Sequence, residues 1–216
     1  MSRRSLGLPL GLAAAYATLS ILVAAGALTR LDQWAIDHAM RDIHRAGVTP
    51  TFGDALVPLL HTDLSSPLDL AASIVTAPAS LLLSLALVGG CTLTLRRRGR
   101  TRAAYAWAAA WLAGNAVEEL CKSALARPAL YRHGMHLVAF DSSFPSGHTI
   151  RSILVAAVIA ATWPAARPWS VAWAAASLVL LEVDALHTPS DIAGGLLVAT
   201  LLVAAVRRAR QEVESE

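Results

Sequence analysis

Charge is scarce in this chain. Acidic and basic residues make up 15% of its 216 positions against 56% hydrophobic ones, and the mean hydropathy is +0.53. That balance excludes an ordinary soluble domain and makes the bilayer the expected solvent. Cysteine is nearly missing as well. Cys91 and Cys121 both fall in apolar stretches, where a thiol behaves as a small hydrophobe, so no disulfide framework is indicated. No repeat, low-complexity linker or shift of composition divides the chain, and one domain spanning 1–216 is the simplest division.

A membrane-spanning helix needs about 20 mostly apolar residues. Residues 6–28 and 70–95 meet that requirement without a charge, and 103–126, 147–163, 169–186 and 189–206 are shorter or carry charge near one end. The first run follows Arg3 and Arg4, yet it is longer than the apolar stretch of a secretory signal and reads as a retained helix. Arg3 and Arg4, then Arg96, Arg97, Arg98, Arg100 and Arg102, then Arg167, then Arg207, Arg208 and Arg210 occupy alternate inter-helix segments. The positive-inside rule assigns those segments to the cytoplasm, with contact to anionic headgroups as a modest second use. The net charge of +3 then reflects topology, and no nucleic-acid partner is expected. The expected fold is all-α, an integral membrane six-helix bundle in the plasma or inner membrane with both termini cytoplasmic. Frequent alanine and glycine within the spans allow close helix contact.

The segments left outside are 29–69, 127–146 and the turn around His187. In the first, Ile36, Ala39, Met40 and Ile43 recur at helical spacing with Asp37, Arg41 and Asp42 between them, which predicts a short helix on the membrane surface. Pro50, Pro58 and Pro67 break the remainder of that segment into short pieces.

Polar residues converge on that outer face. Glu118, Glu119 and Lys122 lie near the outer end of the third span, and at spacings of four and three they read, taken alone, as mutual neutralisation. Pro145 blocks an upstream helix and Ser146 is a good N-cap, so Gly147 and His148 open a helix whose unpaired N–H groups point outward, where an anion binds. His148, Arg151 and Ser152 share one helical face. Thr188 and Pro189 read as N-cap and first position of the sixth span, which brings Asp191 within reach of His187. Two uses of that acid stay open: closing a capping box with Thr188, or fixing the tautomer of His187 so that its other nitrogen is free to attack. Three helices thus bring Lys122 and Arg127, then Ser146, Gly147, His148 and Arg151, then His187 and Asp191 to one face. Cations and helix N-termini suit a phosphate, and two histidines suit a nucleophile and an acid. His133 and His136 lack cysteine partners or a second spaced pair and read as loop residues, so no metal site is expected.

These residues resemble the type 2 phosphatidic acid phosphatase family, whose pocket is shared with vanadium-dependent haloperoxidases. That family carries the blocks K-x6-R-P, P-S-G-H and S-R-x5-H-x3-D. The second is intact as Pro145, Ser146, Gly147 and His148, and the third keeps His187 and Asp191 within HTPSDIAGG. The likeness covers roughly 115–195. Two departures stand out. Arg127 and Pro128 follow Lys122 after four residues, whereas the family spacing lands on Ala129, and Leu180 and Leu181 occupy the serine and arginine positions of the third block. Arg151, one turn beyond His148, is expected to substitute in part for the missing arginine, while Glu182 or Asp184 either orients a pocket arginine or pairs with Arg127 or Arg132 at the surface.

The resemblance implies a membrane lipid phosphatase that hydrolyses a polyprenyl diphosphate or phosphatidate presented from the outer leaflet. His187 would attack phosphorus and form a phosphohistidine, Asp191 would hold its ring, and His148 would protonate the leaving oxygen. Lys122, Arg127, Arg151 and the amides of Ser146 and Gly147 would hold the phosphate, with no metal or other cofactor. Two rivals stay open: a phosphotransferase with a lipid acceptor, and a non-catalytic membrane protein that binds or moves phospholipids.

Overall fold

A computed structural model describes residues 7–41 and 67–214, the last few without side-chain detail. The described chain forms α1 (Gly7–Ala24), α2 (Thr29–His38), α3 (Pro67–Thr76), α4 (Leu81–Arg97), α5 (Thr101–Ala124), α6 (Gly147–Thr162), α7 (Arg167–Val183) and α8 (Pro189–Glu214). One short hairpin, β1 (Tyr131–Arg132) with β2 (Met135–His136), pairs Tyr131 with His136. The all-α expectation therefore holds, and helix occupies most of each of the six expected segments.

The expected spans differ from the structure in length and continuity. Residues 70–95 are not one helix: the chain breaks at a 3-10 turn, Ala77–Ala79, and α3 meets α4 at 49°. Pro78 explains the break, because it lacks an N–H and crowds the preceding turn, and Ser80 then restarts the chain in an extended conformation at ψ 160. Among the described helices, α1 and residues 189–209 of α8 are long and apolar enough to cross a membrane alone, and α3 with α4 makes a third if the bent pair is one span. Helices α6 and α7, at 16 and 17 residues, fall short of the roughly 20 that a hydrocarbon core requires. Large apolar side chains nonetheless face outward, among them Leu8, Ile21, Leu85, Leu112 and Val179, as in a membrane protein rather than a water-soluble bundle.

Helix α6 is the centre of the molecule, packed against α4, α5, α7 and α8, with α1 on the outside of α8 and α3 against α7. The main core runs through this contact: Leu95, Trp107, Trp111, Ile150, Leu154, Val155, Val158 and Val198 are all buried. Gly114 permits the closest crossing, since a Cβ there would stand 2.8 Å from Ile150 and 3.3 Å from Leu154 and Leu202.

The two ends of the bundle differ. At one, the α4–α5 turn caps α6: Arg98 donates to the Thr162 carbonyl at 2.6 Å and Arg100 to that of Ala161 at 3.1 Å, cations placed on the negative end of a helix. At the other, α2, the hairpin and the 137–140 turn build a lid around a second cluster of Ile36, Met40, Leu130, Leu137 and Phe140. The surface helix expected through Ile36, Ala39 and Met40 is met only in part by α2, which ends at His38; Ala35 and Ile36 on it and Met40 just beyond it are buried against protein. Ile43, Pro50 and Pro58 lie outside the described residues.

Candidate active site

The site is assembled from local rules at three helix ends. At α6, Ser146 accepts from the Thr149 N–H at 3.1 Å through its side chain and from the Ile150 N–H through its carbonyl, which is the N-cap role expected of it. At α7, the N–H of Leu186 returns to the Leu181 carbonyl and that of Ala185 to Glu182. This is a Schellman closure, with Ala185 at φ 54 in the left-handed position that glycine usually fills. The His187 N–H also bonds the Leu181 carbonyl at 3.1 Å, so the end of α7 aims His187. At α8, the Asp191 carboxylate accepts from the Thr188 N–H at 3.0 Å while Thr188 Oγ1 accepts from the Asp191 N–H at 3.4 Å. That is a reciprocal capping box.

These ends are tied to each other. The Ser146 N–H donates to the Asp191 carbonyl at 3.0 Å, and α8 comes this close because Gly194 and Gly195 have no side chains. A Cβ on Gly195 would lie 2.7 Å from the Ser146 oxygen, and one on Gly194 would lie 2.5 Å from the Phe144 ring. His148 and His187 face one another as a result, with ring centroids 5.7 Å apart. His187 Nδ1 is 3.7 Å from Asp191 Oδ2, beyond hydrogen-bond length, and has no hydrogen-bond partner among the described residues. Of the two uses left open by the sequence, the capping box is formed, while the carboxylate faces the imidazole without a hydrogen bond to it.

Arg127 does not face outward toward a ligand. Its side chain is 4% exposed and bridges two buried carboxylates, Asp191 at 2.9 Å and Asp32 at 2.7 Å, with further bonds to Ser143 and Thr188 at 3.3 Å. The route follows from the chain: α5 ends at Ala124, Leu125 is extended, and Pro128 keeps Arg127 out of helix. Its guanidinium thus crosses to α8 and α2 instead of standing on the α5 face beside Lys122. Asp32, on α2, also accepts from the Ser190 N–H at 3.1 Å and its hydroxyl at 2.7 Å. Burial pushes the Asp32 carboxyl above its ordinary range, with the Ser190 bonds and the Arg127 charge pulling the other way. Asp32 is a member of the site that the motifs alone do not reveal.

The remaining cations form a second cluster around Glu118. Lys122, the only lysine of the chain, donates to Glu118 Oε1 at 2.5 Å and is 27% exposed. Arg151 donates to Glu118 Oε2 at 2.6 Å, to Asn115 at 2.9 Å and through Nε to the Ala79 carbonyl at 2.7 Å. The neutralisation of Lys122 by Glu118 is thus present, and Glu118, 4% exposed, takes on Arg151 as well. The Gly147 Cα lies against the Glu118 carboxylate so closely that a Cβ would fall within it. Asp184 pairs with Arg41 at 3.5 Å, beside the lid, whereas Arg127 takes its carboxylates from α2 and α8. His136 pairs with Asp141 at 2.8 Å, and no group of three metal-ligating side chains occurs among the described residues. Leu181, at the position of the absent arginine, is fully buried.

Two histidines across a gap, a carboxylate behind one of them, and a helix N-terminus with two cations beside the other can hold an oxyanion and move protons around it. Comparison of the chain with protein-family models, curated proteins and solved structures gives no match.

Proposed function

We propose that this protein is an integral membrane lipid phosphatase of the type 2 phosphatidic acid phosphatase kind, working through a phosphohistidine. The observation that carries the proposal is the apposition of His148 and His187 at 5.7 Å, with Asp191 behind the Nδ1 of His187 and the start of α6 beside them. His187 attacks phosphorus through Nε2 as the P–O bond to the leaving group breaks, and His148 gives that oxygen its proton. Water then attacks the phosphohistidine, His148 takes a proton from it, and phosphate departs with His187 restored. Lys122, Arg151 and the first amides of α6 stabilise the equatorial oxygens.

Arg127 has a positioning part in this reading. It fixes Asp191, and Asp32 fixes Arg127, which accounts for its departure from the family spacing. In the six-span arrangement that we favour, the arginine-rich end is cytoplasmic and the lidded end faces outward. Trp163, Trp169 and Tyr105 are exposed at the arginine end, where aromatic belts lie. Short α6 is then covered by surrounding protein along most of its length, whereas α7 packs on one side and exposes Trp169, Val171 and Val179 on the other. The substrate is a lipid monophosphate or diphosphate whose tail stays in the bilayer.

The test is metal-free phosphate release from polyprenyl diphosphate and phosphatidate by the detergent-purified protein, beside His187→Ala and His148→Ala. Release by the wild type and loss in both variants is the expected result. A folded wild type that releases nothing from either lipid, or a His187→Ala protein that keeps its activity, refutes the mechanism. Product that forms only with an added lipid alcohol identifies the transferase instead.

A further inference from the structure

We infer that the Glu118 carboxylate holds the place of a substrate phosphate oxygen, so that the site is liganded by its own side chain at rest and a phosphate group enters by displacing it. This inference rests on the phosphatase reading and concerns the control of that same site. Both cations assigned to phosphate bind Glu118, one on each oxygen, Lys122 at 2.5 Å and Arg151 at 2.6 Å. The carboxylate lies on the Cα of Gly147, in the first turn of α6. The N–H groups of Thr149 and Ile150 are already taken by Ser146. Those of Gly147 and His148 have no acceptor within the helix. An ammonium, a guanidinium and a helix N-terminus around one buried anion are the surroundings that a phosphate requires.

The charges oppose joint occupancy. Lys122 and Arg151 supply two positive charges, and Glu118 cancels one. A phosphate dianion added to that cluster leaves an excess of negative charge in a buried site, whereas one that replaces Glu118 is balanced by the two cations. The side chain has a way out, since Lys122 is 27% exposed and marks the open edge of the cluster, while Arg151 is 7% exposed and anchored on Ala79 and Asn115. Arg151 therefore stays when Glu118 leaves. The residue governs how readily phosphate binds and has no part in bond making.

Orthovanadate, a phosphate mimic, is titrated by calorimetry into the full chain in detergent, wild type and Glu118→Gln. The glutamine keeps the shape and removes the charge, and it binds vanadate about tenfold tighter, the scale on which one opposing charge at contact distance acts in a partly hydrated site. Equal or weaker binding by a folded Glu118→Gln protein overturns the inference and makes Glu118 a scaffold for Lys122 and Arg151. Vanadate binding to the wild type without that tightening leaves the phosphatase reading standing. Absence of vanadate binding in both proteins overturns the phosphate site and this inference together. Should the glutamine variant fail to fold, Glu118→Asp takes its place: it draws the charge back by one methylene, tighter binding supports displacement, and unchanged or weaker binding overturns it.

Discussion

Replacing Asp32 by asparagine removes one charge from a buried network while keeping its shape. Asp32 receives three donors, the Arg127 guanidinium at 2.7 Å and the Ser190 hydroxyl and N–H at 2.7 and 3.1 Å. Asparagine retains one acceptor oxygen and turns an NH2 toward donors already in place. Removing one partner of a buried ion pair costs about 3–5 kcal/mol, and the low end applies because Arg127 keeps Asp191. At roughly 2–4 °C per kcal/mol for a chain of this size, about 3 kcal/mol lowers the melting temperature by about 6–12 °C. The control lies on the same helix: Asp37 is exposed and among the described residues accepts from Gln33 at 3.0 Å, so Asp37→Asn changes stability by less than about 0.5 kcal/mol. Thermal unfolding of both variants in detergent, with phosphate release measured beside it, decides the matter. A melting temperature for Asp32→Asn within about 2 °C of that for Asp37→Asn refutes the claim that Asp32 anchors Arg127.

Other contacts give two more expected outcomes. Gly195→Ala sets a methyl 2.7 Å from the Ser146 carbonyl and from Thr149 Cβ, neither of which can retreat, so overpacking costs about 1–3 kcal/mol and phosphate release falls. A variant as stable and as active as the wild type would show that α8 need not approach the PSGH turn so closely. Orientation is read with an impermeant maleimide on a background where Cys91 and Cys121 are alanine. S142C, at an exposed position beside the lid, labels in intact cells, and R97C, exposed at the arginine end, labels only after permeabilisation. The reverse pattern overturns the assignment of the outer face.

The parts of this structure that depend on local chemistry are legible in the residues themselves. The Ser146 cap, the Thr188 and Asp191 box and the Lys122 and Glu118 pair each involve neighbours within four positions, and each is present. Features that join distant segments are not legible in that way. Asp32 lies 95 residues from Arg127, although it does leave a signal: it sits three and four positions before Ala35 and Ile36, on the face of α2 that is buried. A charge on an apolar face asks for a partner. Arg127 looks like a displaced phosphate ligand when spacing along α5 is the only ruler at hand, but the helix ends before reaching it. Glu118 reads as a local counter-ion, since nothing in its neighbourhood in sequence reveals that Arg151 and Gly147 arrive from another helix. Pro78 is visible within an uncharged run, but hydropathy sums apolar length and takes no account of a missing N–H.

The elbow between α3 and α4 reaches further than its bend. Inside a helix, each carbonyl accepts from an N–H four residues on and points along the axis, away from neighbouring helices. Ala79 stands just before the residue that restarts the chain as α4, so its carbonyl has no such claimant and accepts from Arg151 instead. A continuous helix through this stretch would turn that acceptor along its own axis, leaving Arg151 to Asn115 and Glu118 alone. The proline that shortens an apolar run is, by this route, also a supplier to the polar centre: an interruption in one helix provides the fixed point from which a side chain on another reaches the anion.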